Sequence, residues 1–322
     1  MFSNIYKNIS PIIQTFRINQ SLKNILVLVP LFFTINIWFS QEDYFGMFNI
    51  CMKAIFTMIA FFLLSASIYF FNDSIDKDSD KIHPFKKNRP IAKGQISLLS
   101  ARLWSIFLCI LGNFICYLTN YELIIISLAF TILNILYSLS LKNFVIIDVV
   151  AISTGFILRA VAGSIAINNS SIHFEESPEI LNLTISPWLY IITGLGALFL
   201  ALAKRRGELI NSHTLKLKAR KTLDNYTIPL LDTLINIVAT ATLFSYTLYS
   251  FSYSSPQTNL PNNNSMMLTI PFVFFGVFRY LYLIHKNHLG EKPEEILMTD
   301  LPLLVNIILW LIISSSILLL GR

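Results

Sequence analysis

Asn72, Asp76 and Asp80 recur at i, i+4 and i+8 within FNDSIDKDSDKIHPFKKNRPIAKG, residues 71–94. Positions four apart fall on one face of a helix, so these side chains point the same way if the preceding apolar helix continues past Phe71. Asp73 lies beside them and Asp78 points elsewhere. Carboxylates crowded on one face repel one another unless a cation neutralises them. An all-oxygen donor set of this kind suits Mg²⁺, which keeps several waters and bridges to substrate phosphates. Proline disfavours helix in the residue before it, so the helix should stop at His83-Pro84. Lys86, Lys87, Arg89 and Lys93 follow as partners for phosphate oxygens. A plain charged loop beside a membrane explains these cations, but not four aspartates at the mouth of an apolar segment. The chemistry in view is metal-assisted handling of a diphosphate.

The elements that must position this chemistry are membrane helices. Hydrophobic residues make up 54% of the 322-residue chain and charged residues only 13%, where a soluble domain carries about a quarter. Nine apolar runs are candidate spans: about 22–39, 48–71, 101–117, 123–140, 145–167, 187–204, 227–253, 267–285 and 301–320. The connections 40–47, 118–122, 168–186 and 254–265 contain no Lys or Arg, whereas the alternate connections and the N-terminal segment hold 20 of the 24. Basic connections face the cytoplasm. The N-terminus and the charged stretch are therefore expected inside, and the C-terminus outside. The net charge of +6 then reports topology and not a nucleic-acid partner. Residues 1–21 read as an interfacial helix, with Phe2, Ile5, Tyr6, Ile9, Ile12, Ile13 and Phe16 at helical spacing and Pro11 as a potential break. Residues 22–322 are expected to form one nine-helix catalytic domain. Loop 168–186 reads as a plain connection, and Cys51, Cys109 and Cys116 as packing residues.

NDSIDKDSD, directly after a second span, resembles the NDxxDxxxD signature of the UbiA-type intramembrane prenyltransferases. The resemblance implies an all-α integral membrane bundle of nine transmembrane helices with a cytoplasmic-facing active-site cavity. It also implies Mg²⁺-diphosphate bound at the cytoplasmic ends of helices 2 and 6, with Asn72, Asp76 and Asp80 as metal ligands and catalytic residues. Aromatic prenyltransferases of this type carry a second motif, DxxxD, after the sixth span. Here that segment reads KRRGELINSHTLKLKARKTLDN, with Glu208 and Asp224 as its only acids. Lys204, Arg205 and Arg206 stand where a second metal site would be. A diphosphate held by one metal site and a cationic cluster needs no second Mg²⁺, and such a cluster can hold a further phosphate. 5-Phosphoribosyl 1-diphosphate carries both groups.

The stretches LNILYSLSLKNFVIIDVVAISTGFILRAVAGSIA, GLGALFLALAKRRGEL and FGVFRYLYLIHKNHLGEKPEEILMTD, with the opening stretch, resemble the decaprenyl-phosphate phosphoribosyltransferase branch over roughly residues 20–320. That resemblance implies transfer of 5-phosphoribose to a polyprenyl phosphate in a bacterial inner membrane, with a product for cell-envelope arabinan or glycan synthesis. Lys86 and Arg89 match the branch's phosphate-binding pattern HPxKxxRP. Tyr137 reads as a substrate contact or an interfacial anchor, and Lys142 as a cation in reach of a phosphate. Asp148 and Arg159 lie eleven residues apart on one span and cannot pair. Asp148 is expected near the cytoplasmic mouth, against a ribose hydroxyl or a basic residue. Arg159 is expected to hydrogen-bond a neighbouring helix, and Gly155 and Gly163 to permit close helix approach. Glu208 fits a metal ligand and a ribose-hydroxyl acceptor equally. Lys216, Lys218, Arg220 and Lys221 read as a contact to anionic membrane lipids. A homo-oligomer stays open. The competing readings are an aromatic prenyltransferase using a polyprenyl diphosphate, and a transporter whose intramembrane charges line an ion path.

Overall fold

The computed structural model describes residues 10–39, 42–82, 86–174, 177–181, 183, 186–215, 222–251, 260–261, 264–286 and 293–320. Residues 1–9 of the expected interfacial helix, His83-Pro84, and the lipid-contact residues Lys216, Lys218, Arg220 and Lys221 lie outside them.

The first apolar run does not form one straight helix. Helical residues 10–16 (α1) turn at Arg17, where φ is 50°, into a 3₁₀ stretch over Ile18–Leu28, then α2 (Val29–Phe33) and α3 (Ile35–Trp38). Pro30 opens α2, and the Thr34 hydroxyl donates back to the Pro30 carbonyl at 2.7 Å, which tightens the break. Helix α4 (Tyr44–Ile75) is capped by Asp43, whose carboxylate accepts from Gly46 N at 2.7 Å. It hands over at Asp76 to the short α5 (Lys77–Ile82), which ends just before His83-Pro84. Helices α6 (Leu98–Thr119), α7 (Leu123–Leu139) and α8 (Ile147–Ile167) follow. A β-hairpin, β1 (Ser170–Phe174) and β2 (Ser177–Leu181), replaces the plain connection expected there; Ile172 pairs with Glu179 in its antiparallel register. SSIHF alternates polar and apolar residues, the period of a strand. Lys53 on α4 donates to the Ser170 hydroxyl at 3.0 Å and ties the hairpin to the bundle. Helices α9 (Pro187–Leu215), α10 (Ile228–Phe251), α11 (Ile270–Lys286), α12 (Pro293–Thr299) and α13 (Leu301–Leu320) complete the chain.

Seven of the described helices are long and apolar enough to cross a membrane, which makes this a multi-pass membrane protein. The first and fourth of the nine expected spans are instead shorter apolar helices, Gln20–Phe33 and the 17-residue α7. Large apolar side chains such as Ile106, Ile110 and Phe114 on α6 face outward, where lipid would lie. Two close approaches set the packing around α4 and α8. A Cβ on Gly112 of α6 would stand 2.9 Å from Leu64, and one on Gly163 of α8 would stand 1.9 Å from the Val27 carbonyl oxygen. Gly163 is thus a packing residue, as its sequence context implies.

Candidate functional site

The acidic face lies where α4 passes into α5. Asp73 is 2% exposed, and its Oδ1 accepts from Arg17 Nη2 at 2.5 Å and from Arg89 Nη1 at 3.0 Å. The same Arg89 nitrogen reaches Asp80 Oδ2 at 2.6 Å. Burial pushes the Asp80 carboxyl above the usual Asp range, against the opposing pull of Arg89 and Lys86. Asn72 Nδ2 donates to Asp76 Oδ2 at 3.1 Å, which confirms that the two share a face. Lys142, in the 3₁₀ turn Leu141–Asn143 between α7 and α8, reaches Asp76 Oδ1 at 3.1 Å. Asp78 points away, with its side chain 92% exposed beside Lys81.

A second cluster gathers from α7, α8, α9 and the segment before α10. Arg205 Nε donates to Asp148 Oδ2 at 2.7 Å, Nη1 to Glu208 Oε2 at 2.6 Å, and Nη2 to the Tyr137 hydroxyl at 3.0 Å. Asp148 is fully buried; its other oxygen accepts from the Tyr226 hydroxyl at 2.9 Å. Burial, reinforced by the Asp148 charge, pushes the Tyr226 phenol up to about 12, so it stays a donor at neutral pH. Tyr226 also accepts from the Ile146 N–H at 2.7 Å. Ile146 has φ 68°, a left-handed conformation that β-branched residues rarely adopt. The α7–α8 turn joins the two clusters. It carries Lys142 to Asp76, its Lys142 carbonyl accepts from Thr222 at 2.7 Å, and Tyr137 lies just before it.

The structure therefore brings Asn72, Asp76, Asp80, Arg89 and Lys142 into one cluster, and Tyr137, Asp148, Arg205 and Glu208 into the adjoining one. Arg206 goes elsewhere, to Asp232 at 2.5 Å and the Ile284 carbonyl at 2.9 Å. Lys204 is half-buried on α9 and makes no ion pair among the described residues. Lys86 opens the 3₁₀ turn Lys86–Asn88 beside Asp80. Arg159 hydrogen-bonds Asn24 in the first segment at 2.7 Å and does not pair with Asp148. Two contributors escaped sequence reasoning. Asp73 was visible beside the spaced acids, but Arg17 and Tyr226 arrive from 56 and 78 residues away, and no local pattern marks them.

The acidic face fits a hard divalent cation. Its donors are all oxygen, Asn72 and Asp76 touch, and the Asp76 side chain is 24% exposed. Among the described residues no three His, Cys, Asp or Glu side chains form a ready cage. Mg²⁺ does not require one, because it is commonly held by one or two carboxylates plus water and substrate phosphates. An apolar cavity of about 280 Å³ lies apart from both clusters, between α9, α10, α11 and α13, and is lined by Phe199, Ala239, Tyr280 and Trp310 among others.

Comparison with known proteins adds findings of three kinds. The model of the UbiA prenyltransferase family matches residues 27–294. Decaprenyl-phosphate phosphoribosyltransferase of Mycolicibacterium smegmatis is 27% identical over 94% of this chain and 91% of its own length. The protein of the same name from Corynebacterium glutamicum is 27% identical over 92% of this chain and 83% of its own. Among solved structures, a UbiA homologue from Archaeoglobus fulgidus bound to GPP and Mg²⁺ superimposes with a TM-score of 0.67 at 15% identity, covering 96% of this chain and 99% of that one. At that identity the likeness concerns the fold.

Proposed function

The chain belongs to the UbiA prenyltransferase family, and from that premise we propose that it transfers 5-phosphoribose from 5-phosphoribosyl 1-diphosphate to a polyprenyl phosphate, with Mg²⁺ as cofactor. The observation that carries this reading is the state of the acids around α9. In a prenyl-transferring relative of the expected type, a second acidic motif there would gather a second metal. Here Glu208, with Asp148 from α8, is already neutralised by the buried Arg205. One metal site then serves the donor, and chain cations supply the remaining positive charge. Relatives named as phosphoribosyltransferases over more than 90% of this chain support the same choice.

In the proposed reaction Asn72, Asp76 and Asp80 hold Mg²⁺, which when bound offsets the charge of the departing diphosphate. Lys142, Arg89 and Lys86 stand at the same face and extend that positive field over the phosphates. Asp148 and Glu208, fixed by Arg205, are acceptors for ribose hydroxyls, with Tyr226 and Tyr137 holding the cluster rigid. The nucleophile is an oxygen of the acceptor phosphate, already ionised near neutral pH, so no general base is required. The bond from the anomeric carbon to diphosphate breaks, the bond to the acceptor oxygen forms with inversion, and diphosphate leaves. The proposal places nine spans in a bacterial inner membrane, with the N-terminus and site cytoplasmic, the C-terminus outside, and the product entering envelope glycan synthesis. It is tested by diphosphate release from 5-phosphoribosyl 1-diphosphate. Release should require both Mg²⁺ and a polyprenyl phosphate, and vanish in Asp76→Ala. Full release by that variant would contradict the metal assignment.

A further inference from the structure

A guanidinium without a counter-ion lies deep in the bundle. Arg159 of α8 is 4% exposed and donates Nε to Asn24 Oδ1 at 2.7 Å and Nη1 to the Gly155 carbonyl at 2.8 Å. Its Cζ lies 4.7 Å from the Phe130 ring and 5.4 Å from the Phe156 ring. It makes no ion pair with any carboxylate among the described residues. Asn24 is 2% exposed, and its Oδ1 also accepts from the Ser65 hydroxyl at 3.2 Å. Two donors on one oxygen fix the amide's orientation, so Nδ2 is the outward donor, and it is buried with no partner. The Tyr69 hydroxyl is likewise buried; Lys23 stands close enough to donate to its oxygen, but its own O–H has no acceptor. Lys23 Nζ stands 5.3 Å from the Tyr69 ring. Arg17 also covers that ring, at 4.9 Å, but its charge is taken by Asp73. Buried donors are normally satisfied, and a buried charge is normally paired. Here two cations, an amide and a phenol converge; neutral oxygens accept from Arg159, but no anion among the described residues answers its charge, and the Asn24 amide has no acceptor.

The missing partner is an anion, and its position says which kind. Tyr69 precedes Asp73 by one helical turn and Asp76 by two on the same face of α4, so the donor cluster is stacked below the acidic site along one helix. It lies within a span and is walled by Phe130 and Phe156, where a lipid-borne group is at hand. A phosphate monoester carries close to two negative charges and several strong acceptor oxygens. We propose that Lys23, Asn24, Tyr69 and Arg159 bind a phosphate monoester, the phosphate of the polyprenyl acceptor, and hold it one turn from the metal-binding face. This rests on the phosphoribosyl-transfer reading, and it assigns to residues outside the acidic motif the placing of the nucleophile.

Asn24→Asp tests it with little disturbance. The variant keeps an oxygen for Arg159 and Ser65, removes both N–H donors, and puts a negative charge where the anion would sit. The apparent KM for polyprenyl phosphate should rise about tenfold or more, and about threefold in Tyr69→Phe, which loses one hydroxyl. The KM for 5-phosphoribosyl 1-diphosphate should stay within about twofold in both. A raised donor KM with an unchanged acceptor KM would assign the site to the donor's 5-phosphate and overturn the proposal. So would two unchanged KM values, which would make the cluster structural. A binding readout separates this inference from the reading beneath it. Short-chain polyprenyl phosphate, added without donor, should raise the unfolding temperature of detergent-solubilised wild type but not of Asn24→Asp. That shift in a protein that transfers no phosphoribose would leave the site standing and remove the reaction. Phosphoribosyl transfer by an Asn24→Asp protein with wild-type acceptor KM would remove the site and leave the reaction standing.

Discussion

Asp80 is buried beside Arg89. Burial raises its carboxyl above the ordinary Asp range, so the folded protein binds this proton more tightly than the unfolded chain. From the model Asp value of 3.8 up to the raised value, the folded state carries the excess proton, and stability falls as pH rises through that window. Above the window the ionised form carries the burial cost, which Arg89 offsets in part. Asp80→Asn should therefore unfold at pH 7 no lower than wild type, with Arg89 still held by Asp73, while turnover is lost. Thermal unfolding and a turnover assay on the same preparation check both halves; a lower unfolding temperature with activity kept would contradict them. At this scale the acids were legible because their spacing is helical and local. Arg17 and Tyr226 were not, because packing alone brings them across the chain.

At the scale of elements, the turn into α8 and the inner end of α9 are locked together by Arg205. The guanidinium is 3% exposed and Asp148 is fully buried, so Arg205→Ala leaves an uncompensated carboxylate. Breaking such a pair typically costs about 3–5 kcal/mol, and denaturant unfolding in detergent should show a loss of that order. Arg205→Lys should recover little of it, because one ammonium cannot reproduce three directed contacts to Asp148, Glu208 and Tyr137. The run KRR reads alike whether its arginines face a ligand or the protein's own carboxylates, here Asp148, Glu208 and Asp232. Its sequence therefore announces cations but not their engagement. Ile146 stores strain at the same turn. With its side chain 51% exposed and φ at 68°, Ile146→Gly gives up little packing and should stabilise by about 1 kcal/mol. Loss of activity in that variant would mean that the strained turn also aims Lys142 or Asp148.

Across the whole molecule, charge and hydropathy made most of the architecture legible. Apolar run lengths mark seven helices long and apolar enough to span, and the alternation of basic connections gives them an expected orientation. The first run misleads because Pro30 and Thr34 interrupt it, and the hairpin after α8 is invisible to hydropathy because it lies outside the apolar segments. Orientation is testable with single cysteines in a background lacking Cys51, Cys109 and Cys116. Ser171→Cys in the hairpin should react with a membrane-impermeant thiol reagent on intact cells, and Gln95→Cys before α6 only after permeabilisation. The reverse pattern would turn the bundle over.

The central claim is that a phosphoribosyl group moves. Purified protein in lipid with Mg²⁺ would be given labelled 5-phosphoribosyl 1-diphosphate and a polyprenyl phosphate. In parallel it would be given a polyprenyl diphosphate and 4-hydroxybenzoate, with EDTA added to a control of each. Label should pass into the organic phase from the first mixture and disappear with EDTA. Product from the second mixture alone would show that a prenyl group, and not a ribose, is transferred.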